Sequence, residues 1–173
     1  DAALELQVED MEAEWKRKLE TALGTYERAL EINPRLMNVY VTIANANEQM
    51  NRFEKAVEVL QEAALANPSS AEPYIGLAEL YQRNGQPDVA VASYRQAIAL
   101  KPQNANYRLA LAGLLESLGR INEALVEVQE SARLKPNDPS LRQNLAFMYQ
   151  RIEMYPEALA EASVWSDIGF LIL

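Results

Sequence analysis

Residues 71–104 read AEPYIGLAELYQRNGQPDVAVASYRQAIALKPQN, and residues 105–138 read ANYRLALAGLLESLGRINEALVEVQESARLKPND. Laid one over the other, they superimpose Ala78 on Ala112, Gly85 on Gly119, Ala90 on Ala124 and Pro102 on Pro136. The same step of 34 residues extends outward to Pro34 and Pro68, and to Ala22, Ala56 and Ala158. A register kept over this length marks a tandem array, in which each copy is one supersecondary unit.

Within each copy the sequence predicts two helices. First helices are expected over residues 38–50, 72–84, 106–118 and 140–152, and second helices over 54–66, 88–100, 122–134 and 156–164. Asn51-Arg52, Gly85, Gly119 and Pro156 punctuate the hairpins, as residues that end a helix or open the next one do. Asn67-Pro68, Lys101-Pro102 and Lys135-Pro136 close the second helices, because a residue before proline is pushed out of the α region. Ala44, Ala78, Ala112 and Ala146, each after a large aliphatic, stand where helices approach closely. A lone hairpin cannot bury both faces, so the copies must stack. Overpacking one junction, as in Ala112→Leu, is expected to cost about 1–3 kcal/mol.

The chain has 173 residues, 49% of them apolar, which is ample for a continuous core. Its net charge is −9, and residues 1–14 carry six acids with no Lys or Arg. That balance argues against phosphate backbones, and no nucleic acid is expected as a partner. No apolar run is long enough to span a bilayer. The expectation is a soluble domain, with cytoplasm, periplasm and a membrane surface left open. A first residue of Asp reads as a fragment or a processed chain.

Both ends depart from the pattern. Leu4, Val8, Met11, Trp15, Leu19, Ala22, Tyr26 and Ala29 step by three or four, predicting one amphipathic helix over about residues 2–32. Its readings are a capping helix, a connector to an upstream domain or membrane anchor, and a hidden gap in the numbering. At the far end, Trp165 replaces a small residue, and Ile168, Phe170, Leu171, Ile172 and Leu173 form an apolar tail. The tail is expected to cover the last helix, or else to begin a further element or touch membrane.

These residues resemble the tetratricopeptide repeat (TPR) family. The resemblance rests on Tyr40, Ile43, Ala44, Asn47, Ala56, Leu60, Ala63 and Pro68. It continues through Tyr74, Leu77, Ala78, Tyr81, Ala90, Tyr94, Ala97 and Pro102, then Leu111, Ala112, Leu115, Ala124, Val128, Ser131 and Pro136. It covers about residues 16–164. Arg108 and Arg142 depart from the pattern at the first large residue, predicting a thinner contact there. The resemblance implies an all-α fold, a right-handed α-solenoid of stacked antiparallel helix pairs. Expected divisions are residues 1–36 (the long helix with half a unit), units 37–70, 71–104 and 105–138, a degenerate unit 139–164, and the tail 165–173.

At about 100° per residue, one arc of each first helix faces the stack and the opposite arc is free. The resemblance implies that the free arc lines a concave groove. Its expected partner-binding residues are Asn38, Val41, Asn45, Gln49, Ile75, Glu79, Gln82, Arg83, Asn106, Leu109, Gln143, Asn144, Phe147 and Arg151, with Thr42, Glu48, Glu116 and Ser117 beside them. Asparagine and glutamine can bond a peptide backbone as both donor and acceptor. Gly76, Ala110 and Gly113 are expected to leave room for a bulky side chain, and Phe147 to anchor one.

Two sub-family signatures fail. The carboxylate clamp of chaperone-binding TPR domains would place its charged set at Val41, Asn45, Gly76, Asn106 and Ala110, and only Asn45 fits. The asparagine ladder of O-linked N-acetylglucosamine transferase would fall on Thr42, Gly76, Ala110 and Asn144, and only Asn144 fits.

Nothing in the sequence points to catalysis. With no histidine or cysteine, the common base, thiol nucleophile and metal ligands are missing. The scattered glycines form no phosphate-cradling loop. The pairs Glu58/Glu62 and Glu123/Glu127 read as solvated helix faces. The expected function is a non-catalytic protein-interaction scaffold, without metal or cofactor, for a neutral to basic protein or peptide. The alternative is the regulatory or substrate-docking region of a larger enzyme, membrane-bound or not, or an accessory or assembly subunit of a membrane complex.

Overall fold

The computed structural model describes residues 2–152, with side-chain environments from residue 8 onward. The described residues form eight α-helices: α1 (Ala2–Ile32), α2 (Met37–Gln49), α3 (Phe53–Ala66), α4 (Glu72–Arg83), α5 (Pro87–Leu100), α6 (Ala105–Ser117), α7 (Ile121–Leu134) and α8 (Pro139–Arg151). Each expected helix within that range is present, with ends shifted by a residue or so. The expected helix over 156–164, Trp165 and the apolar tail lie outside the described residues. No helix among the described residues is long and apolar enough to cross a membrane.

The repeat is visible atom by atom at the turns. Asn51, Gly85 and Gly119 stand one period apart, and all have positive φ: 58°, 71° and 71°. After them, Arg52 N–H donates to Asn47 O at 2.8 Å, Gln86 N–H to Tyr81 O at 2.9 Å and Arg120 N–H to Leu115 O at 2.9 Å. This is the Schellman closure, in which a left-handed residue lets the chain satisfy the helix's last carbonyls. Glycine takes that conformation freely, and asparagine tolerates it better than most residues.

Second helices end in an equally constant way. Asn67, Lys101 and Lys135 donate their N–H to Ala63, Ala97 and Ser131 O at 3.0–3.1 Å. The next first helix is then capped from the side. Asn104 Oδ1 accepts from Asn106 N, and Asp138 Oδ1 from Ser140 N, both at 3.0 Å. Ser70 Oγ accepts from Glu72 N at 3.3 Å. At the matching place before α2 stands Leu36, which provides no side-chain cap.

The chain forms two compact units, divided between Leu80 and Tyr81. In the first, α2 packs on α1 and α3. Ile43, Ala44, Ala56, Leu60, Ala63, Ala78 and Leu80 are buried there. In the second, α6 packs on α5 and α7, and α7 packs on α8, burying Ala90, Ala97, Leu111, Ala112, Leu115, Ala124, Val128 and Leu141. Ala44, Ala78 and Ala112 are buried as their small size predicts, while Ala146 is only half-buried. Fully buried Ser131 replaces an alanine of the repeat. Its hydroxyl donates to Ala105 O at 3.0 Å, so the polar group is satisfied.

Two expectations need correction. Glu127 does not lie on a solvated face: it is half-buried and accepts from Arg108 Nη1 at 2.9 Å. Gly76 leaves no open space, because a Cβ there would meet Leu60 Cδ2 at 2.9 Å. The missing side chain serves the contact of α4 with α3, not a ligand.

The arginines at the variant repeat position fill it with polar bonds. Arg108 pairs with Glu127 and also reaches Pro102 O at 3.4 Å. Arg142 donates to Pro136 O through Nε at 3.1 Å and Nη2 at 2.6 Å. One period apart, both guanidiniums therefore bond the carbonyl of the repeat proline six residues earlier. That carbonyl lies beyond a helix end, where it lacks an intrahelical donor.

Candidate protein-interaction surface

First helices carry their burial on one arc only. In α2, Tyr40, Ile43, Ala44 and Asn47 are buried, while Asn38, Asn45 and Gln49 are exposed and Val41 is half-buried. Asn47 satisfies its buried amide by donating from Nδ2 to Ile43 O at 2.9 Å. In α4, Glu79 is exposed, Ile75 is half-buried, and Gln82 and Arg83 are exposed in the last turn. In α6, Asn106 is exposed and Leu109 half-buried. Gln143, Asn144, Phe147 and Arg151 are exposed on α8. All fourteen expected binding residues are thus accessible, wholly or in part.

Only some of them converge. Leu109, Asn144 and Phe147 line a recess of about 180 Å³ in the second unit, together with Ala112, Gly113, Glu116, Val128 and Met148. Helices α6 and α8 form its walls, and the buried Val128 of α7 and Met148 of α8 form its floor. Gly113 makes the space: a Cβ at that position would meet nothing within 4 Å. Phe147 stands at the rim, 55% exposed, an unusual setting for a phenylalanine.

Arg151 lies beside the rim without lining the recess. Its guanidinium lies 5.8 Å from the Phe147 ring centroid, within cation–π range, and its Nη1 pairs with Glu116. Arg151 thereby contacts two lining residues, Phe147 of α8 and Glu116 of α6. Asn144 supplies an amide able to donate and accept. The site offers an apolar hollow, one aromatic edge and one bifunctional amide, which suits recognition of a side chain with its adjoining backbone.

Asn106 does not join this recess. It sits seven residues from Gly113, roughly 10 Å along α6. Its Oδ1 accepts from Lys135 Nζ at 2.8 Å. Gln143 is exposed on α8 but is not among the lining residues. The sequence pattern reaches the rim and misses the floor, since Val128 and Met148 carry only the ordinary signature of core residues.

Exposed carboxylates elsewhere are held by cations. Arg120 donates to Glu123 through Nε and Nη2 at 2.7 Å, and Arg95 donates to the same carboxylate at 2.9 Å. Glu123 is consequently shifted below the ordinary glutamate pKa, with the Arg120 hydrogen bonds as the main cause. Glu130 shifts the same way, chiefly through its hydrogen bond with Arg133. Burial raises the Tyr40 phenol, with Glu62 adding a smaller push. None of these groups lines the recess.

Two models of the tetratricopeptide repeat family match the chain, one over residues 16–80 and the other over 75–139. No curated protein matches it in sequence. Among solved structures, the MamA protein is similar with a TM-score of 0.64 at 19% identity, over 88% of this chain and 83% of that one. TTC0263, a thermophilic TPR protein of Thermus thermophilus, is similar with a TM-score of 0.62 at 28% identity, over 76% of this chain and 73% of its own. YrrB, described as a TPR protein with an unusual peptide-binding site, has a TM-score of 0.59 at 21% identity, over 84% and 75%. The fold class is all-α, that of tetratricopeptide solenoids, which serve generally as interaction scaffolds. With its 34-residue period, its paired helices and these two matches, the chain belongs to the tetratricopeptide repeat family.

Proposed function

We propose that this protein is a non-catalytic interaction scaffold whose second unit docks an extended peptide segment of a partner protein. The observation that carries this reading is the recess over Gly113, walled by Leu109, Asn144 and Phe147. An apolar side chain of the partner fills the hollow, and Asn144 bonds the backbone beside it. The peptide-binding site named for YrrB, a protein of similar fold, supports the choice of peptide as ligand. Net charge of −9 favours a neutral to basic partner during approach, an effect that salt would weaken. The outward arcs of α2 and α4, with Asn38, Val41, Asn45, Gln49, Ile75 and Glu79 wholly or partly exposed, are proposed as further partner contacts. Repeat units are proposed to run over 37–70, 71–104, 105–138 and 139–164.

Peptides selected against the protein from a random display library provide the test. Phe147→Ala with Asn144→Ala should weaken the selected peptides by about tenfold or more, the usual effect of removing an aromatic anchor. Both side chains are exposed, so the fold should survive. Unchanged affinity in the double variant would remove the recess from the binding site.

A further inference from the structure

The recess over Gly113 exists because the repeat is interrupted there at two positions. One period before Gly113 and Val128 stand Glu79 and Tyr94, and two periods before stand Asn45 and Leu60. Of these three copies, the third has the smallest residue at both places. What a larger residue does is visible at Leu60, whose Cδ2 would lie 2.9 Å from a Cβ on Gly76 and so fills the space before that helix. Buried Val128 is one carbon shorter than leucine and lacks the ring of Tyr94, so the floor stays low.

The hollow left behind has the size and the walls of a ring site. Its volume is about 180 Å³, and a cavity of about 150 Å³ in a protein core admits benzene. Phe147 presents an exposed ring at the rim, and Met148 brings a thioether to the floor. An aromatic guest gains from both, as a ring packed edge-to-face and as a ring beside sulfur. An aliphatic guest of equal bulk gains neither. Among the described lining residues Glu116 alone is charged, and its carboxylate accepts from Arg151. A carboxylate repels an acidic guest, whereas the edge of an aromatic ring is its positive part. On the reading that a peptide docks here, we propose that the recess selects a phenylalanine of the partner. The guest supplies a ring that the array supplies itself one repeat earlier, through buried Tyr94.

Peptides selected against the 173-residue chain from a random display library should share one phenylalanine. A selected sequence is then synthesised in three versions, with phenylalanine, leucine or cyclohexylalanine at that place. Cyclohexylalanine keeps the bulk of the ring and loses its π face. Both replacements should weaken binding by about fivefold, the usual worth of an aromatic pair. Ring current from the phenylalanine version should also move the Val128 and Met148 methyl resonances, and the cyclohexylalanine version should move them far less. Phe147→Leu, at an exposed position, keeps an apolar rim without its ring, so the preference for phenylalanine should shrink to about twofold. An aliphatic anchor in the selected peptides, or equal affinity of the phenylalanine and cyclohexylalanine versions, would overturn the inference. If such peptides still lose affinity in Phe147→Ala with Asn144→Ala, the recess remains the docking site and only its aromatic preference falls. Peptides indifferent to that double variant would remove the recess, and this inference with it.

Discussion

The second half of α1 and the whole of α7 hold the same phase of the repeat, with Ala22 matching Ala124, yet their surroundings differ. Ala124 is fully buried, Leu125 and Val128 nearly so, because α7 packs against both α6 and α8. Ala22 is only half-buried, Leu23 is the one buried side chain of α1 among those described, and Tyr26 is exposed. The apolar spacing is as regular in one as in the other. Periodicity therefore dictates that a helix forms and which face is apolar, while burial depends on how many neighbours the helix receives.

That contrast can be broken most sharply by deletion of equivalent apolar bulk. Leu111 has no exposed surface, so Leu111→Ala should cost about 2–5 kcal/mol in denaturant unfolding. Trp15 is 42% exposed, and Trp15→Ala should change stability by less than about 0.5 kcal/mol. Comparable losses would show that α1 is buried as deeply as α6. Overpacking gives the next largest effect. Ala112 is 3% exposed, and Ala112→Leu should cost about 1–3 kcal/mol, whereas Gly113→Ala, one residue on, meets open space and should stabilise the helix by about 0.5–1 kcal/mol.

Turn and cap substitutions sharpen the comparison within the repeats. Gly119→Ala forces a side chain into φ +71° and should cost about 1–2 kcal/mol. Asn104→Ala removes the side-chain cap of α6 and should cost about 1 kcal/mol. Thermal midpoints of the two variants should fall in that order.

Acid sensitivity is the smallest effect. Glu14, Glu123 and Glu130 have folded pKa values below the ordinary glutamate value near 4.5, through bonds from Lys18, Arg120 and Arg133 respectively. The unfolded chain takes up protons first as pH falls. The stability these pairs contribute is present above about pH 4.5 and is lost as pH drops through the folded values. Contact with solvent keeps the loss small and salt-sensitive. For Tyr40 the sign is opposite: its raised phenol contributes stability below pH 10, which is lost as pH climbs through the folded value. A shallow fall in thermal midpoint below pH 4.5, weaker at high salt, would agree.

Much of this was legible in the sequence because the repeat tests itself. Pro34, Pro68, Pro102 and Pro136 fix the period, and Asn51, Gly85 and Gly119 fix the turns, so helix ends fell within a residue or so of their observed places. The free arc of each first helix followed from helical geometry, and Phe147, Asn144 and Arg151 lie exposed on it. What a one-dimensional pattern cannot show is depth. Gly76 and Gly113 look alike in sequence, but Leu60 fills the space before one and nothing fills the space before the other. Glu127 looked solvated because its partner, Arg108, lies nineteen residues away on another helix.

Gly113→Leu tests the docking site most directly. With no atom within 4 Å of the added Cβ, the fold should tolerate the side chain, which would occupy the hollow itself. Isothermal titration with a peptide selected against the wild type should show binding reduced by about tenfold or more, with the thermal midpoint held or raised. Full affinity in a folded Gly113→Leu protein would mean that the partner sits elsewhere.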